Sequence, residues 1–127
     1  MPWAESAATA LLAARQGYAV CVNYVRDAQA AGELCARIVA EGGEAIAVQA
    51  DVSDEADVAR LFDEVDARLG TLTALVNNVG VLEQKCRLVD ISVPRLERVL
   101  RTNVISYFLC CQQAVRRMST ANGGRGG

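Results

Sequence analysis

The sequence predicts an α/β protein built on a parallel sheet. Apolar runs of strand length alternate with stretches whose apolar residues recur at helical spacing. Each run is followed by a stretch long enough to cross back over a sheet, which parallel neighbours require. Glycines sit at the ends of the periodic stretches, where chain reversals are expected. Together these give the order αβαβαβα in one domain, residues 1–118, followed by a Gly-rich loop at 119–127.

Each element has its own justification. Ser6 to Gln16 is rich in Ala and Leu, good helix formers, and Gly17 ends it. Tyr18 to Tyr24 is rich in strand-favouring residues. Asp27 to Glu41 places Ala31, Leu34, Cys35 and Ile38 on one helical face, closed by Gly42-Gly43. Glu44 to Ala50 is the second strand. Ser53 is read as the N-cap of a helix with the stripe Val58, Leu61, Phe62, Val65 and Leu69. Leu72 to Val76 is read as the third strand. Ser92 and Pro94 open the longest helix, residues 94–118. Its expected core stripe is Leu96, Val99, Leu100, Val104, Phe108, Cys111 and Val115. The tail Ser119 to Gly127 holds one Arg between Gly pairs and reads as a loop rather than an RNA-binding repeat.

Composition excludes several function classes. At 127 residues, 52% apolar and a formal charge of −2, the chain is expected to be soluble and globular. A weakly acidic chain has no electrostatic case for nucleic acid or anionic membrane. No segment has the length to span a bilayer, and Ala7 to Ala14 lacks the basic flank of a signal peptide. There is no His, which removes Ser-His-Asp and Cys-His catalysis and His-containing zinc sites. Five Cys without a C-x-x-C pair read as reduced, buried thiols of a cytoplasmic protein.

In an open parallel sheet, ligands lie beyond the carboxyl ends of the strands, so the residues just after each strand carry the functional information. After the first come Asn23, Tyr24, Val25 and Arg26. No acid stands at this tip to accept from a ribose 2′-hydroxyl, and Arg26 can pair with a 2′-phosphate. After the second come Asp51 and Val52. Asp51 is either a site residue or a helix-start acid among Asp54, Glu55 and Asp57. After the third comes Asn77-Asn78-Val79-Gly80. Its amides can satisfy neighbouring backbone, and its Gly permits close approach. Asn103 falls on the apolar side of the last helix. A buried amide left unpaired costs about 1–3 kcal/mol, so it should have partners.

An apolar strand ending in Asn-Asn-x-Gly, followed by a long helix bearing Asn103, resembles the short-chain dehydrogenase/reductase family. The resemblance covers Ser6 to Gly127. It implies a partial Rossmann-type doubly wound parallel sheet that lacks the family's first and last strands. It implies hydride transfer between NADP(H) and a small carbonyl or alcohol substrate. By this resemblance Asn23, Tyr24, Arg26, Asp51, Val52, Asn77, Asn78, Val79 and Gly80 are cofactor-binding residues. Asp51 would accept from the adenine amino group while Val52 packs on the ring. Asn103 would either hold a water in a proton relay or serve as a structural amide. The family's third position in Asn-Asn-x-Gly is usually Ala; here it is Val79.

The family's glycine-rich phosphate loop, Thr-Gly-x-x-x-Gly-x-Gly, is not matched. Ala4, Glu5 and Ser6 fall on its last three positions, and Glu5 places negative charge where pyrophosphate would lie. The family's catalytic Ser and Tyr-x-x-x-Lys are not matched either; Ser53, Tyr24 and Lys85 stand elsewhere. The chain is therefore expected to be a fragment that binds NADP(H) weakly and turns nothing over by itself. The family commonly oligomerises through the helix equivalent to 94–118, which implies a homo-oligomer. Two other readings stand beside this one: a non-catalytic interaction protein that pairs with a full-length relative, and a truncated gene product without function.

Overall fold

In the computed structural model, which describes residues 2–126, two parallel strands carry the sheet. They are β1 (Val20–Tyr24) and β2 (Ala45–Gln49), paired from Val20 with Ala45 through Tyr24 with Gln49. This is the pairing the two apolar runs imply. Alternate residues feed two cores, because successive side chains leave a strand on opposite faces. Val20, Val22, Tyr24, Ala45 and Ala47 pack towards α1 (Pro2–Arg15) and α2 (Ala28–Ala40), with Leu11, Ala31, Leu34 and Ile38. Cys21, Ile46 and Val48 pack towards α3 (Glu55–Leu69), with Val58, Leu61 and Phe62. Both faces are covered, which explains why the strands read as almost unbroken apolar runs.

Local chemistry sets the helix ends. The Asp27 carboxylate accepts from the Ala30 amide (2.9 Å) and starts α2. Beyond it, Gly42 adopts a left-handed φ of 88°, and a side chain at Gly43 would collide with Ile38. Asp54, not Ser53, caps α3, accepting from the Asp57 amide (2.9 Å). Ser53 turns back instead, and its hydroxyl donates to Asp51 Oδ1 (2.6 Å).

Three further expectations are corrected. First, α1 begins at Pro2, so Ala4, Glu5 and Ser6 are helical rather than part of a loop. Second, Leu72–Val76 is not a strand, and the observed order among the described residues is αβαβα, then irregular chain, then helix. A strand is defined by its ladder, and no neighbouring backbone among the described residues pairs with this segment. Leu72, Leu75 and Val79 still pack on the α3-side core, so the segment is held by side chains.

Third, the last helix is turned over. It runs from α4 (Val93–Leu100) through a π-helical turn, Arg101–Ile105, into α5 (Ser106–Met118). As expected, Ser92 caps it and Pro94 lies in its first turn. The face it buries is the small one: Ser106, Cys110 and Ala114. Leu96, Leu100, Val104, Phe108, Cys111 and Val115 are exposed. Small residues let α5 approach α3 closely. The tail then folds back, and the Gly126 amide donates to Met118 O (2.7 Å).

The cysteines are all free, but they are not all buried. Cys110 is buried, Cys21 and Cys35 are half-buried, and Cys86 and Cys111 are exposed. Burial pushes the Cys21 thiol up to about 11; burial, then the neighbouring Cys111, does the same for Cys110. Alkylation at pH 8, followed by mass spectrometry, is expected to label Cys86 and Cys111 first. Cys21 and Cys110 should lag well behind, because burial both covers the sulfur and disfavours the thiolate, the form that attacks. Labelling of Cys110 as fast as Cys86 would contradict this packing.

Candidate functional site

The carboxyl ends of β1 and β2 lie side by side and are tied together by one amide. Asn23 Nδ2 donates to Ala50 O (2.9 Å) and Val48 O (3.3 Å), while the Ala50 amide donates to Tyr24 O (3.0 Å). Asn23 is thus spent on the sheet's own end. Tyr24 turns its ring into the α1/α2 core. Arg26 is exposed beyond the tip; its carbonyl accepts from the Ala28 amide (3.1 Å), and its side chain makes no hydrogen bond or ion pair among the described residues.

The β2 tip continues into a tight acidic turn. Asp51 Oδ1 accepts from both the Ser53 amide (3.0 Å) and the Ser53 hydroxyl. The Asp51 amide donates to Asp57 Oδ2 (2.8 Å). That bond, followed by the Arg60 guanidinium, holds the Asp57 carboxyl below its ordinary value. Asp51 Oδ2 has no partner among the described residues and faces an exposed position. Val52 is buried in the α3-side core, so its side chain is committed to packing.

The segment 77–81 is fastened by three asparagine amides. Asn77 Nδ2 donates to Tyr107 O (3.3 Å) and Cys111 Sγ (3.4 Å) on the last helix. Asn78 Nδ2 donates to Ser6 Oγ (3.0 Å) in the first turns of α1. From the π turn, Asn103 bonds the Val81 backbone in both directions: Oδ1 accepts from the amide (2.8 Å) and Nδ2 donates to the carbonyl (2.9 Å). A primary amide reproduces the donor–acceptor pair of a backbone, so Asn103 stands in for the strand neighbour this segment lacks. Val79 packs on the core, and a side chain at Gly80 would make only ordinary contact with Asn103 (3.8 Å).

The structure therefore gathers the predicted residues into two groups, the β1/β2 tips and the 77–81 segment with Asn103. Sequence reading missed Arg101, which lies on the same π turn as Asn103. Its Nη1 donates to Ser53 O (3.2 Å), at the β2 tip. A cation two residues before a candidate site amide was the available signal.

Asn103→Ala is expected to cost about 1–3 kcal/mol, two hydrogen bonds at about 0.5–1.5 each. Urea unfolding would measure it, and the Val81 amide should exchange faster with solvent. A loss below the error of the measurement, with Val81 still protected, would show that the clamp does not form.

A family model described as Enoyl-(Acyl carrier protein) reductase matches residues 6–126. The chain belongs to the short-chain dehydrogenase/reductase family. It is 48% identical over 120 residues to the uncharacterized oxidoreductase YgfF of Escherichia coli K12, covering 94% of this chain and 49% of that protein. It is 35% identical over 118 residues to a 3-oxoacyl-[acyl-carrier-protein] reductase of Synechocystis, covering 93% of this chain and 47% of the relative. Among solved structures, a short-chain dehydrogenase of Burkholderia cenocepacia in complex with NADP superimposes with a TM-score of 0.81 at 31% identity. That match covers 91% of this chain and 46% of the other. This short-chain dehydrogenase/reductase chain thus spans about half the length of the relatives it matches. Membership bears out the α/β Rossmann-type class, although among the described residues two strands of the doubly wound sheet are hydrogen-bonded. No helix among the described residues is long and apolar enough to cross a membrane.

Proposed function

We propose that this chain forms the NADP(H)-binding part of a cytoplasmic oxidoreductase that reduces a small carbonyl or oxidises an alcohol. The observation that carries it is the β1 tip. An exposed, unpaired Arg26 stands where a 2′-phosphate would be read, and no acid stands there for a free 2′-hydroxyl. A matching protein of known structure holds NADP, which supports the same choice. Asp51 Oδ2 is open to the adenine amino group. Asn77 to Gly80, which follow the irregular Leu72–Val76 segment, would lie along the cofactor, with Asn103 fastening the segment through Val81.

The fit stops at the pyrophosphate. Ala4 to Ser6 are helical, Glu5 is exposed among them, and Ser6 is engaged by Asn78. These residues offer phosphate no glycine-rich cradle, so binding is weak. Nicotinamide cofactor, when bound, supplies the hydride; the chain's residues bind and orient it. A second reading, an interaction protein, is favoured by one observation. The ridge Leu96, Leu100, Val104, Phe108 and Val115 is apolar and exposed along the helix that would also carry a homo-oligomer.

Calorimetric titration of the 127-residue chain tests the first reading. NADP is expected to bind more weakly than micromolar yet more tightly than NAD, and Arg26→Ala should abolish that difference. Tighter binding of NAD, or a preference that survives Arg26→Ala, would sink the assignment.

A further inference from the structure

We infer that Arg101 is a positioning residue for the adenosine end of the dinucleotide, acting through the Asp51–Ser53 turn. The inference rests on the cofactor reading above and adds a residue to it. The π turn reaches both candidate groups through side-chain bonds. Its first residue, Arg101, holds the Ser53 carbonyl, and its third, Asn103, holds Val81. The extra residue in a π turn is often found where a helix must aim side chains that an α-helix would send elsewhere.

The turn that Arg101 grips determines where Asp51 points. Ser53 satisfies Asp51 Oδ1 twice, through its amide and its hydroxyl. That leaves Oδ2 as the oxygen free to accept from a ligand. The lock works only while Ser53 keeps its place over Asp51, and Arg101 grips that residue from its far side: its 3.2 Å bond is to the carbonyl of the Ser53–Asp54 peptide, whose N–H also donates to Asp51 O (2.9 Å). Asp57 fixes the other end through the Asp51 amide. Without Arg101 that peptide keeps only its bond to Asp51 O, Ser53 is held less firmly, and the Asp51 carboxylate loses part of its fixed orientation. A guanidinium-to-carbonyl bond is charge-assisted, so it is among the stronger single contacts available at an exposed position.

The test is an NMR titration of the full chain with adenosine and, separately, with 2′,5′-ADP, following the Val52, Ser53 and Asp54 amides. Arg101→Ala is expected to weaken both probes by the same factor, about five- to tenfold, the size of one such contact. Arg101→Lys should restore most of the affinity, because a single carbonyl needs only one N–H and not a bidentate fork. The Asn77 to Val81 amides should keep their free-state shifts in both variants. Weakening confined to 2′,5′-ADP would mean that Arg101 contacts phosphate directly, and would overturn the positioning role. Unchanged affinity in Arg101→Ala would overturn it while leaving the cofactor reading intact. Displaced shifts at 77–81, or no rescue by Lys, would reduce Arg101 to general stability and overturn it. A wild-type chain that responds to neither probe would overturn the cofactor reading and this inference with it.

Discussion

Phe62→Ala is expected to lower the unfolding free energy by about 3–5 kcal/mol, the cost of emptying a buried aromatic site. Phe62 is 3% exposed and lies in the core that joins β2, α3 and α5. The ring also carries Arg117, whose guanidinium carbon sits 5.3 Å from the ring centroid. Arg117 is itself mostly covered and bridges from α5 to Asp63 (3.0 Å) and Asp66 (2.8 Å) on α3. Removing the ring takes away the floor beneath that ion-pair network, so the two losses are coupled. A small domain has about 5–15 kcal/mol in total. With two paired strands among the described residues this one belongs at the lower end, so the variant should be largely unfolded at 37 °C. Urea denaturation monitored at Trp3 or by circular dichroism would decide. A loss below about 2 kcal/mol would mean the site collapses around the gap.

Phe62 was legible from sequence because helical periodicity is unambiguous when one face is apolar and the other charged. The stripe Val58, Leu61, Phe62, Val65 faces Asp63, Glu64, Asp66 and Arg68, and only one orientation is tolerable. The last helix offers two non-charged faces. Its larger stripe, Leu96 to Val115, was the natural choice for a core. The structure buries Ser106, Cys110 and Ala114 instead, because they admit close contact with α3. Periodicity gives the spacing of a face but not which neighbour meets it.

Leu72–Val76 failed for a different reason. Its composition is that of a strand, but pairing is a property of two segments, and no sequence window contains the partner. The Asn-Asn-x-Gly segment and Asn103 stood out by residue type. That Asn103 would bond both the amide and carbonyl of Val81 needed the π turn, which no local propensity announces. Arg101 is hard to read from sequence because an exposed Arg on a helix usually meets only water.

The open side of β1 sets the last expectation: the chain should be marginal as a monomer and associate as its concentration rises. The ladder shows why. The Val20 amide donates to Glu44 O and the Ala50 amide to Tyr24 O, so residues 20, 22 and 24 address β2. In a parallel pair, the residues between them turn their backbone groups the other way. Cys21 and Asn23 therefore present their N–H and C=O groups to a side where no strand pairs among the described residues. Leu75 and Val79 pack on the same core as Cys21, so this side is not freely hydrated. Each buried, unpaired group costs about 1–3 kcal/mol, and an unprotected strand edge is a template for another chain. Amide exchange at low concentration should show an alternating pattern, with Val22 and Tyr24 protected and Cys21 and Asn23 exchanging more than about tenfold faster. At higher concentration, sedimentation should detect larger species while the Cys21 and Asn23 amides gain protection. Cooperative unfolding of a monomer at all concentrations, with Cys21 and Asn23 as protected as Val22, would mean that the far side of β1 is already paired.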